Sequence, residues 1–518
     1  MREPNTLAKQ FAHRLQVISD ARDCERTDNE TADKLHIQTA GASLTYFYES
    51  LRNASENAGE NLLLMRAIRR FFKRAYLTPD LQLNDVVEEL IIELTLAGYL
   101  ENDSIALKTI DEITHLVRDY SSLRNKLLQK FSRDIVDRWT LEPMSAAIEQ
   151  KLRDHRLHAA FADFAYNYFL NAIDVTAVFN EKPASYEATL FMAVQQALLH
   201  SDPADVRLSL ISRYQIPLSR TVQFAEFNTQ IDQIVAGPAL KKLNNLVDRH
   251  GASLRIAFLA ASNDDSAAKR LASEKSYVER YNLAINESYS SVSKNINRGI
   301  FRSVIFLVIT KFIIGIAAEV PYDIWVHGAV QWLPLIVNLA LPPLYMVALR
   351  LTLLMPTEGN TRALDREITR ILFEPVPVKP YIRGRQKTFG AGWNTAYGLL
   401  VVAVFAGVTW LLINYANFEW IHLVVFFVFI STASFLGFRL SRSIREIEVG
   451  DEAQTSVTMI RDFLYMPFVA VGRKINETYA KINLVSRFLD MFVELPLKTI
   501  LGFVRRWGSF LNAKKDDF

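Results

Sequence analysis

Three side chains in the second half of the chain have the type and spacing for chemistry inside a lipid bilayer. Lys311 interrupts the apolar run VIFLVITKFIIGIAAEV, Glu319 follows eight residues later, and Asn338 lies in a second run, LPLIVNLALPPLYMVAL. A charge in hydrocarbon is costly, so an ionisable residue there marks either an ion path or a structural partner. Lys311 sits roughly 14 Å from the inner end of its run, counted by helical rise. Glu319 falls near the outer boundary, where water reaches it, and on a similar helix face. Proton- or ion-coupled transport normally uses several deep ionisable groups, and on this count only Lys311 is deep. The expectation is therefore a structural or partner-binding lysine that packs within a helix bundle. It would snorkel, or hydrogen-bond Thr310 or Asn338.

Other chemistry is sparse. His155 and His158 stand one helical turn apart in DHRLHAAFAD, a spacing that metal ligands use. Solvated histidines on an exposed helix face read the same way, so no metal site is expected. The sequence has no P-loop, no GxGxxG, no GxSxG and no HExxH. No cofactor is expected either. Cys24 is the only cysteine, which excludes an intramolecular disulfide and a cysteine-built zinc site.

The elements that must position Lys311 are long apolar helices. The chain has 518 residues, half of them hydrophobic, and nearly all long apolar runs lie after residue 300. A bilayer core about 30 Å thick needs roughly 20 apolar residues per span. Four segments meet this, at 302–320, 330–354, 396–415 and 420–438. The linkers give an independent test, since Lys and Arg concentrate on cytoplasmic flanks. Lys294, Arg298 and Arg302 precede the first segment. Arg362, Arg366, Arg370, Lys379, Arg383, Arg385 and Lys387 separate the second from the third, and Arg439, Arg442 and Arg445 follow the fourth. The linkers PYDIWVHGAVQ and NYANFEW contain neither Lys nor Arg. Alternation of this kind predicts a multi-pass inner- or plasma-membrane protein with both termini in the cytoplasm. Trp325, Trp332, Trp410, Tyr415 and Trp420 mark the outer interface. Gly392, Gly398, Ala403, Ala406 and Gly407 give the third span a small-residue face for close helix approach. Pro334, Pro342 and Pro343 predict a bent second span.

The first part of the chain reads as helix after helix. LLLMRAIRRFFKRAYL and LNDVVEELIIELTLAGYL carry apolar residues at spacings of three and four. Pro and Gly punctuate the segments, and no alternating strand pattern is present. The N-terminus has no continuous apolar core and does not read as a secretory signal. Residues 20–40, polar and weakly periodic, read as a loop. The fold class expected is all-α. A cytosolic helical domain spans 1–290, with a connecting helix over 262–300 feeding the membrane. A first transmembrane hairpin spans 302–354, a basic cytosolic loop 355–395, a second hairpin 396–438, and an amphipathic cytosolic tail 439–518.

In that tail, apolar stripes alternate with Lys498, Arg505 and Arg506, the pattern of a helix lying on an anionic inner leaflet or packing back on the domain. Arg383, Arg385 and Lys387 in the loop are further candidates for lipid phosphate contact. A formal charge of +3 gives no reason to expect a nucleic-acid partner. The partners expected are the bilayer and an unidentified protein or a second copy. Together these features favour a non-enzymatic membrane protein whose cytosolic domain recruits or organises partners. A transporter or channel component built on the four spans is the first alternative, and a membrane-surface enzyme acting on lipid is the second.

Overall fold

The computed structural model describes residues 2–31, 33–37, 45–46, 49, 60–76, 83–179, 181–375, 380–383, 391–449 and 465–477. Among these residues the protein is all-helical. Extended backbone pairs only at isolated points, Lys34 with Ala106 and Ile173 with Ile382.

The helical domain is built around two neighbouring cores. The first joins helices Glu60–Ala75, Leu83–Leu96, Leu107–Leu127 and Leu141–Leu152 through Ile68, Phe72, Leu90, Val117 and Met144. The larger core centres on the helix Arg156–Ala172, whose AAFADFAYNYF stretch buries Phe161, Ala165 and Phe169. The first helix, Thr6–Thr31, lies against it, with Phe11 stacked on Phe164 at 4.8 Å. That helix runs through positions expected to form a loop. Its polar second half is held from outside, by Arg22 to Asp154 at 2.6 Å and by Arg156 to Glu25. Such cross-chain pairing leaves no trace in apolar periodicity.

Among the described residues four helices are long and apolar enough to cross a membrane: Glu274–His327, Trp332–Thr352, Thr395–Ala416 and Trp420–Arg445. The first, second and fourth form a core around Ile300, Leu307, Met346, Leu349, Phe429 and Ala433. The third is peripheral, with 6% of its apolar window buried against 50% for the fourth. It touches its neighbours through Val404, Phe405, Val408 and Leu412. The small-residue face expected to bring helices together does not do so among the described residues. A Cβ on Gly392, Gly398 or Gly407 would meet nothing within 4 Å. Close approaches occur instead at Gly437 of the fourth helix, where a Cβ would come within 2.7 Å of Leu349, at Gly299 against Leu440, and at Gly472 against the Ser431 carbonyl oxygen.

The domain and the bundle share one element. A single helix, Glu274–Ile314, buries Tyr277, Tyr281, Ala284 and Ile285 in the domain and then Ile296, Ile300 and Leu307 in the bundle. Two further segments tie the halves together. The basic loop contains a helix, Glu358–Phe373, that contributes Leu364, Ile368 and Leu372 to the domain core. Asn5 binds the end of that helix, donating to the carbonyls of Ile371 and Glu374 at 2.8 Å each. Asn360 donates to Tyr289 Oη at 2.8 Å and to the Ile447 carbonyl at 2.9 Å, and accepts from Val449 N at 2.8 Å.

Candidate functional site

The first apolar helix is not uniform. Pro321 has no N–H to offer the carbonyl of Ala317, four residues back, and its ring crowds that turn. The helix absorbs this with a π turn over Gly315–Glu319 and then continues from Val320 to His327. The extra residue has a consequence for side-chain direction. Positions eight apart on a regular helix diverge by about 80°, and one inserted residue takes back about 100°, leaving about 20°. Glu319 is thereby turned onto the meridian of Lys311.

The two form an ion pair, Lys311 Nζ to Glu319 Oε1, with side chains 1% and 0% exposed. Lys311 also lies over the ring of Phe429, 5.2 Å from its centroid. Glu319 therefore does not stand in water at a membrane boundary, as its position suggested, but is sealed between helices. Neither Thr310 nor Asn338 is the lysine's hydrogen-bond partner. Thr310 bonds back to the Phe306 carbonyl at 2.6 Å.

Asn338 bridges three helices. Its Nδ2 donates to Glu319 Oε1 at 3.2 Å and to the His422 carbonyl at 3.1 Å. Pro342, one turn on, cannot donate to the Asn338 carbonyl, so this stretch of the second helix is short of internal donors. The helix nonetheless runs unbroken through both prolines, from Trp332 to Thr352.

Two further ionisable residues complete the cluster. Asp323, one turn beyond Glu319 and on the same face, accepts from the Gln331 backbone N–H at 2.9 Å. His422 opens the fourth helix, where Glu419 and His422 form a reciprocal capping box. His422 Nε2 and Asp323 Oδ1 stand 3.2 Å apart, both side chains 0% exposed. They are at ion-pair distance but not aligned as a hydrogen bond. At the open rim Glu419 accepts from Tyr322 Oη at 2.9 Å and pairs with His327 at 2.8 Å.

Sequence reasoning picked Lys311, Glu319 and Asn338, and the structure gathers these three. It missed Asp323 and His422, which fell in a linker and at a segment end. The available signal was Pro321 next to Asp323, with a charge one turn upstream.

The other candidates lie elsewhere. His155 and His158 are half-buried rather than on an open helix face. Their ring centroids are 6.1 Å apart; His155 Nε2 binds the buried Glu149 at 2.6 Å, while His158 lies edge-on to Phe258. Burial opposes a charge on His155, but the Glu149 carboxylate outweighs it and holds the imidazole above its usual range. Burial, aided by the charge on His155, pushes His158 down to about 4. Nearby, burial and the Glu149 charge push Asp205 up to about 6. Among the described residues no group of three or more His, Cys, Asp or Glu could hold a metal ion. Arg383 is exposed and 3.6 Å from Asp174. Arg385, Lys387, Lys498, Arg505 and Arg506 lie outside the described residues.

A cavity of about 110 Å³ opens where the first helix meets the basic loop, lined by Asn5, Tyr168, Arg370, Glu374 and Tyr381. No family model matches the chain, and no curated protein or solved structure is significantly similar to it.

Proposed function

We propose that the chain is a non-enzymatic integral membrane protein whose helical domain organises protein partners at the cytoplasmic membrane face. The observation that carries this reading is the way the domain is mounted. One unbroken helix serves both the domain core and the bundle core, and two separate segments lock the halves together through Asn5 and Asn360. A tethered catalytic module needs no such mounting, whereas a docking platform gains from being held at a fixed height and angle. The absence of a recognised catalytic motif from the sequence agrees with it. The base-free linkers and basic flanks support placing the domain in the cytoplasm, under the inner or plasma membrane.

The test is cross-linking in intact cells followed by purification of the full chain, with reconstitution of the same material in vesicles. The reading expects discrete partners cross-linked to domain positions such as Val222 or Tyr214, both exposed, and no solute flux. Flux through the vesicles with no partner on the domain would overturn it.

A second reading, transport through the bundle, is favoured by one specific observation. Lys311, Glu319, Asp323 and His422 are all buried among the apolar helices, so the ionisable groups are several rather than one.

A further inference from the structure

The charges inside the bundle do not balance. Lys311 neutralises Glu319. Asp323 then remains, with no exposure to solvent and no cation beside it unless His422 carries one. Its Oδ2 is satisfied by the Gln331 N–H, but Oδ1 has no hydrogen bond, and neither has His422 Nε2 facing it. Asn338 Oδ1 and Glu319 Oε2 are likewise buried acceptors without a donor. An ionised carboxylate sealed from water without a partner is strongly disfavoured and takes up a proton instead.

We propose that Asp323 and His422 form a proton-binding site, loaded from the end of the bundle far from the helical domain. One proton brings the pair to neutrality. A carboxylic acid facing a neutral imidazole and a carboxylate facing an imidazolium hold the same proton, so the pair titrates as a unit. The proton comes from water at the rim, where Glu419 and His327 are 35% and 28% exposed. Glu419 stands between that rim and the pair: its backbone N–H lies 3.5 Å from His422 Nδ1 and its carboxylate accepts from Tyr322 Oη. Around the pair stand Tyr322 from the first helix, the Gln331 N–H, Asn338 at the His422 carbonyl and Glu419 ahead of the fourth helix; Glu319 lies beyond Asn338 with Lys311 paired to it, and His327 is paired to Glu419. Asn338 links the His422 backbone carbonyl to Glu319, so the pair and the Lys311–Glu319 bridge share one polar side chain between them. The site requires neither the platform nor the transport reading; it is a property of the bundle.

The experiment is a pH titration of the full-length protein in lipid nanodiscs, followed by infrared difference spectroscopy of carboxyl and imidazole bands. Asp323→Asn and His422→Gln are compared with the wild type at fixed ionic strength, and sodium and potassium are varied at fixed pH in a separate arm. The wild type should take up one proton in a step that Asp323→Asn abolishes and His422→Gln shifts by at least one pH unit, tenfold in proton affinity. If Asp323→Asn does not fold, the His422→Gln shift decides. If neither folds, the wild-type spectrum alone decides, because a carboxyl or imidazolium band that titrates in one step and shifts in deuterium oxide is required. A step unchanged in both variants, no such band in the wild type, or a response to sodium or potassium in place of pH would overturn the proposal.

Discussion

Lys311 and Glu319 show how far single residues can be read. The lysine stands out in any hydropathy scan, and the spacing of eight suggests a similar face for Glu319, yet eight residues of regular helix still leave the two about 80° apart. The π turn that closes this angle depends on a proline two residues beyond the glutamate. Removing one partner of a buried pair leaves the other charged and unpaired, at a cost of about 3–5 kcal/mol. Lys311→Met should therefore lower thermal stability in detergent by that order, and adding Glu319→Gln should recover most of it. Equal loss in the single and double variants would mean that the lysine acts by packing alone. A second residue-scale prediction concerns Asp205, which burial pushes up to about 6. Its folded form holds the proton more tightly than the unfolded chain, so its contribution is favourable at low pH and is lost as pH rises through about 6. The advantage of Asp205→Asn over the wild type should therefore grow by about 2 kcal/mol between pH 4 and pH 7, measured by denaturant unfolding. A pH-independent difference would show that the carboxylate is solvated.

At the scale of elements, the four apolar helices were legible because hydrocarbon thickness sets their length and nothing else in a chain demands such runs. Their mutual packing was not. Glycine composition pointed to the third helix, yet the tight contacts belong to Gly299 on the first, Gly437 on the fourth and Gly472 beyond it. Small residues permit close approach without specifying a partner, so their presence on a face does not say which face is used. Gly437→Leu should cost about 1–3 kcal/mol by overpacking. Gly398→Leu, with nothing within 4 Å of its would-be Cβ, should fall within about 0.5 kcal/mol of the wild type. The reverse order in detergent melting would mean that the third helix packs against a second copy. Helix ends were the other blind spot. Asp323 reads as linker because hydropathy falls there, although the helix continues to His327 and turns the carboxylate inward.

For the molecule as a whole, the unexpected feature is the use made of the basic loop. Charge marked it as a cytosolic linker, but its helix Glu358–Phe373 completes the domain core with Leu364, Ile368 and Leu372. Amphipathicity alone does not tell a surface helix from one that closes a core far away in sequence. The mounting helix carries the argument from domain to polar cluster. Lys311 lies about 39 Å beyond Ile285 along the same axis, at 1.5 Å per residue. That geometry has meaning only if the bundle lies in lipid with the loop and the domain on one side of it. Cysteine labelling of intact cells tests this most directly, using Ala329→Cys in the first short linker and Arg362→Cys in the basic loop, each in a Cys24→Ser background; both positions are exposed. The account predicts that a membrane-impermeant maleimide modifies position 329 in intact cells and position 362 only after the membrane is opened. Labelling of both positions before lysis, or recovery of the chain in the soluble fraction without detergent, would contradict it.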